Sequence, residues 1–88
     1  MVARGNWLLA KGDVRAARAI FDNAALSGSA SAVTGLAKAN DPRYLADIGA
    51  RGAVPDATVA LGLYRRAAAM GDREAADRLS RLQAALGR

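Results

Sequence analysis

The sequence predicts an all-α domain built from stacked helix hairpins. Three observations carry this. Apolar residues recur at helical spacing and never alternate as in a strand. Glycine followed by aspartate or serine punctuates the chain at Gly12-Asp13, Gly28-Ser29 and Gly71-Asp72. The middle of the chain is also repeated near its end after a shift of 43 residues.

The punctuation sets the elements. A glycine just past a helix end accepts the left-handed backbone there, and the following Asp or Ser caps the next helix by accepting from its first free N–H groups. Asp41-Pro42 is a second kind of start, with Asp as cap and Pro in the first turn. Val54-Pro55-Asp56 makes a turn and then a cap. Helices are therefore expected over about 2–11, 14–27, 30–39, 43–50, 57–70 and 73–86. In the second, Ala17, Ile20, Phe21, Ala24 and Ala25 form one face; in the fifth, Ala60, Leu63, Tyr64, Ala67 and Ala68 do so. The last places Ala75, Leu79, Leu82 and Leu86 on one side. Its other side offers the i, i+4 pairs Arg73–Asp77, Glu74–Arg78 and Asp77–Arg81, each worth about 0.2–0.5 kcal/mol.

Composition narrows the function. The 88 residues amount to one domain, and a chain of this size buries only about 60–65% of its unfolded surface. With no cysteine and no histidine there is no disulfide framework, zinc finger, thiol nucleophile or histidine relay. No cofactor is expected, and the seven Asp and one Glu read mainly as caps and surface pairs, so an enzyme is not expected either. The 23 alanines, 11 arginines and 9 glycines suggest a GC-rich, bacterial genome, which accounts for part of the net charge of +5. Only four aromatics, Trp7, Phe21, Tyr44 and Tyr64, are available for a core otherwise made of Ala and Leu. The apolar run Trp7–Ala10 is too short for a signal-peptide core or a membrane span. A complete chain is thus expected in the cytoplasm; a fragment of a longer protein leaves the periplasm or secretion open.

The 43-residue shift aligns Ala17 with Ala60, Phe21 with Tyr64, Ala24-Ala25 with Ala67-Ala68, Gly28 with Gly71, Ala32 with Ala75 and Leu36 with Leu79. Ala3 and Trp7 repeat the small-then-large spacing of Ala32–Leu36. The helices therefore run A, B, A, B, A, with an insertion at 41–53 that adds a short helix around Tyr44 to Ala50. Alanine pairs let antiparallel helices approach closely, and one large aromatic per B-helix fills the gap between successive hairpins. Each hairpin leaves an apolar face that a neighbour must cover, which is why such units stack.

These residues resemble the Sel1-like repeat family within the tetratricopeptide-repeat superfamily. The likeness is carried by Gly52, Val54-Pro55, Asp56, Ala60-Leu61, Leu63-Tyr64, Arg66-Ala67-Ala68, Gly71, Ala75 and Leu79, and in the first unit by Gly5, Leu8, Gly12, Ala17, Phe21, Ala24-Ala25 and Gly28. It spans about residues 3–82. The chain departs from the family pattern in having Ile20 and Leu63 where many members have Trp, Gly62 inside a helix, and the long 41–53 connection. The resemblance implies a short right-handed α-solenoid: repeat 1 over about 3–28, repeat 2 over about 29–71, and a capping helix over about 72–86.

It also implies a protein–protein interaction module, an adaptor or scaffold holding a peptide or partner helix on its A-helices. Carried over position by position, the outward A-helix residues are Thr34, Lys38, Asp77, Arg78 and Arg81. Two alternatives come from the residues themselves. One is a basic nucleic-acid-binding accessory domain, since residues 57–88 carry six arginines; their spread around the helices and three interspersed acids disfavour it. The other is a self-associating piece of a larger repeat protein, joining through its N-terminal end. Trp7 is expected in the core as the large residue of the first A-helix, against a reading in which it faces a partner or second copy; Leu9 is left open between the two.

Overall fold

A computed structural model describes residues 2–50 and 52–87. Among these the chain is all-helical, with six helices: α1 Val2–Ala10, α2 Val14–Leu26, α3 Ala30–Lys38, α4 Pro42–Asp47, α5 Ala57–Ala69 and α6 Arg73–Leu86. Every predicted cap is in place. Asp13, Ser29, Asp41, Asp56 and Asp72 each accept a backbone N–H in the first turn of the helix that follows. Gly12, Gly28 and Gly71 take φ values of +86°, +83° and +98°, where a β-carbon would be strained. The inserted helix α4 ends at Asp47, earlier than expected, because the chain turns at Gly49 with φ +66°.

The helices pack in chain order, α1 on α2, α2 on α3, α3 on α5 and α5 on α6, while α4 is looped out of the succession. α1 also touches α3. The Cα envelope measures 32 × 30 × 16 Å.

α3 lies in the middle, and its composition suits that place. Ala32, Val33, Thr34, Gly35, Ala37 and Lys38 are all buried. Around it are two apolar clusters. One joins Leu9, Val14, Ala17, Phe21, Ala24 and Ala32 with Leu45 of α4, and the other joins Val33 and Ala37 with Ala60, Tyr64, Ala67, Ala75 and Leu82. Phe21 and Tyr64 are wholly buried.

Phe21 dictates how α1 sits. A β-carbon placed on Gly5 would lie 2.7 Å from its ring, and one on Gly35 would come closer still. The ring edge therefore wedges between two bare backbones, one in α1 and one in α3. This corrects the expectation for Trp7. Gly5 and Leu9 point inward, and Trp7 is two residues from each, about 200° round the helix. Trp7 is consequently 58% exposed, and Leu9 takes the core position.

The insertion is tied down by polar contacts. Arg18 of α2 donates from one terminal nitrogen toward the Ala39 carbonyl at 2.8 Å, with Asn40 Oδ1 at 3.2 Å and the Val54 carbonyl at 3.3 Å. Both ends of the insertion are thus fastened to α2. The Asp56 N–H closes its base by donating to the Asn40 carbonyl at 2.8 Å.

Candidate functional site

Of the five residues singled out from the sequence, Thr34, Lys38 and Arg78 meet at the seam between α3 and α6, with α4 beside it, while Asp77 and Arg81 lie on the outer face of α6. Two of the five do not face outward as expected. Thr34 is 2% exposed and Lys38 9%. The reason is the central place of α3, which is covered on several sides, whereas α6 has α5 as its main neighbour and keeps an open outer face.

Thr34 Oγ1 donates to Asp72 Oδ2 at 2.7 Å. The other oxygen of Asp72 caps α6, accepting the Glu74 N–H at 2.9 Å. Tyr64 and Asp41 repeat the arrangement. The Tyr64 hydroxyl donates to Asp41 Oδ2 at 2.6 Å, and Asp41 Oδ1 caps α4 by accepting the Arg43 N–H at 2.8 Å. In both cases a hydroxyl from another helix takes the second oxygen of a capping aspartate. Burial, reinforced by the Asp41 carboxylate, pushes the Tyr64 hydroxyl far above its ordinary pKa.

Above this layer lies a charged one. Glu74 Oε2 accepts from Lys38 Nζ at 3.2 Å and from Arg78 Nε at 2.9 Å. Partial burial works to raise the Glu74 pKa, but the Arg78 hydrogen bond and the Lys38 charge outweigh it and hold the carboxyl below its ordinary value. The Tyr44 ring of α4 meets both cations, with Lys38 Nζ 5.0 Å and the Arg78 guanidinium 4.8 Å from its centroid. Arg43 completes the contact from α4 by donating to the Arg81 carbonyl at 3.2 Å.

Asp77 and Arg81 fulfil the outward expectation. They pair at 2.8 Å with both side chains about 60% exposed. Arg78 is intermediate, its side chain 23% exposed and directed to Glu74. The expected Arg73–Asp77 pair is not among the ion pairs of the described residues, because Asp77 turns to Arg81 instead.

Chemically the seam is an ion-paired, hydrogen-bonded joint. Among the described residues no three acids come together as a metal site would need. None of the described helices is long and apolar enough to cross a membrane. A separate open depression of about 420 Å³ lies between Arg15, Arg18 and Asp22 of α2 and the loop at 52–54. Its most enclosed cation, Arg18, is occupied by the carbonyls that hold the insertion.

Sequence reasoning read Glu74 as a surface pair member and did not single out Tyr44, Arg43, or the tertiary partners of Asp41 and Asp72. The i, i+4 spacing signalled Glu74–Arg78, but nothing local signals that Lys38, 36 residues away, shares the same oxygen. No family model matches the chain, and neither a curated protein nor a solved structure matches it.

Proposed function

We propose that this chain is a Sel1-like, tetratricopeptide-type module: two helix hairpins and a capping helix in a right-handed α-solenoid, not catalytic, that binds a peptide or partner helix on the surface of its A-helices. The observation that carries the reading is the recurrence of Phe21 and Tyr64. They stand 43 residues apart at the same place in α2 and α5, each wholly buried among small residues. The succession of packed helices and the polar outer face of α6 support it too, since a terminal repeat needs a solvated face.

On this reading the contact residues divide. Asp77 and Arg81, with Arg43 beside them, are exposed and available. Arg78 contributes an edge. Thr34 and Lys38 position α6 and Tyr44 from beneath. The charge swap Asp77→Arg with Arg81→Asp keeps an i, i+4 pair while inverting the surface pattern. Added to Arg43→Glu, it should abolish capture of partners that the immobilised unaltered protein retains, with the helical circular dichroism unchanged. Retention of the same partners by the triple variant would overturn the assigned surface.

A further inference from the structure

α1 and α6 are the two outermost helices of the packed succession, and their outer faces differ in kind. α6 presents Arg73, Asp77, Ser80 and Arg81. α1 presents Ala3, Trp7 and Ala10, directly opposite the inward Gly5 and Leu9. A tryptophan 58% exposed in a chain with four aromatics is a large uncovered apolar surface. Lys11 Nζ lies 4.1 Å over its ring. The flanking Ala3 and Ala10 are small enough to let another backbone come close. Tryptophan in such a setting is the residue type that most often anchors an interface.

Charge decides what fits. α1 carries Arg4, is followed by Lys11, and contains no acid. A second copy of the chain is a poor match. Antiparallel pairing centred on Trp7 brings Arg4 against the Lys11 of the other copy, and parallel pairing sets each cation against itself. An amphipathic helix bearing carboxylates beside its apolar stripe satisfies both features at once. Its apolar side chains cover Trp7, and its acids pair with Arg4 and Lys11, drawing Lys11 off the indole. We propose that the outer face of α1 is a docking surface for an acidic amphipathic helix of a partner protein, with Trp7 as anchor and Arg4 and Lys11 as the charge selectors. Because α1 is the first A-helix, the inference shares the partner-helix class of the reading above, but it rests on Trp7, Arg4 and Lys11 and its test leaves Asp77 and Arg81 untouched.

Trp7 is the only tryptophan in the chain and reports directly on its own burial. Two synthetic amphipathic helices with the same leucine stripe, one flanked by Glu and one by Lys, serve as probes. The Glu peptide is expected to shift Trp7 emission to the blue and to bind at least about ten-fold more tightly than the Lys peptide. Arg4→Glu with Lys11→Glu should reverse that preference. Trp7→Ala, followed by anisotropy of labelled peptide, should weaken binding about ten-fold or more. All three positions are exposed, so the helical circular dichroism should persist. Equal binding of the two peptides, or no emission shift with the Glu peptide, would overturn the proposal. So would a peptide-free blue shift that grows with protein concentration alongside a doubled mass, which would make the occupant a second copy. A shift produced by phosphatidylglycerol vesicles but not by the Glu peptide would assign the face to membrane.

Discussion

The Tyr64 hydroxyl reaches the Asp41 carboxylate across 2.6 Å inside the protein, joining α5 to the residue that starts α4. Asp41 is 3% exposed and Tyr64 is wholly buried, so neither has water as a substitute partner. Tyr64→Phe should therefore destabilise by about 1–3 kcal/mol in urea or thermal unfolding, chiefly by leaving a buried carboxylate oxygen unpaired.

The same contact predicts an alkaline limit. Burial and the Asp41 carboxylate raise the Tyr64 pKa above its ordinary value of 10.0, so the folded state disfavours tyrosinate. A raised folded-state pKa contributes stability that is fully present below pH 10 and is lost as pH climbs beyond it, when the unfolded chain ionises and the folded one does not. Stability measured from pH 9 to 12 should fall above about 10, and Tyr64→Phe should flatten the fall. In a Tyr44→Phe variant, where Tyr64 is the one remaining phenol, the tyrosinate absorbance at 295 nm should rise together with unfolding.

Two glycine substitutions should move stability in opposite directions. Gly35→Ala drives a methyl into the Phe21 ring, which cannot retreat because Gly5 lies against it too. The clash should cost about 1–3 kcal/mol, outweighing the roughly 1 kcal/mol gained in helix propensity. Gly62 is exposed and helical with open space where a β-carbon would stand. Gly62→Ala should stabilise by about 0.5–1 kcal/mol, readable as a raised Tm.

Glu74 should make the protein sensitive to acid. Its folded-state pKa lies below the ordinary 4.5 because the Arg78 hydrogen bond and the Lys38 charge outweigh its burial. A depressed carboxyl contributes stability present above about pH 4.5 and lost as pH falls through the folded value. Glu74→Gln keeps an acceptor for Lys38 but removes the charge, so at this half-exposed, solvent-screened site it should cost about 0.5–1 kcal/mol at neutral pH and less at pH 3. Urea midpoints at the two pH values test this.

Thr34→Val separates a positioning role from a binding one. The valine matches the volume but cannot donate to Asp72, so the cap of α6 loses its outer support. We expect a loss of about 1–2 kcal/mol with no change in partner capture beyond that of the reduced folded fraction. Selective loss of a partner from fully folded variant would give Thr34 a direct contact role.

Local rules made the helices legible. Each capping residue and helix-ending glycine acts within four residues of its own position, and a single sequence contains all that is needed to find it. The core faces of α2 and α5 were legible for a similar reason, since Ala17, Phe21, Ala60 and Tyr64 lie on helices with one clear apolar stripe. Trp7 defeated the pattern because its orientation follows from a distant residue. The Phe21 ring demands a glycine, and α1 turns to supply Gly5. Thr34 and Lys38 look like surface residues in isolation; only the central place of α3 buries them. The joint made by Asp72, Glu74, Tyr44 and Asp41 depends on helices brought together from separate parts of the chain, which spacing does not encode.

α3 bears on how the protein holds together as a unit. It has nine residues, and short helices of this kind are marginal alone in water. It supplies Gly35 to Phe21 on one side and Val33 and Ala37 to the Tyr64 cluster on the other. Neither half of the chain retains a complete core without it, and α3 retains no shape without both halves. Unfolding should thus proceed in one cooperative step, with equal calorimetric and van't Hoff enthalpies, and a chain divided within α3 should yield two disordered pieces that regain structure only when mixed.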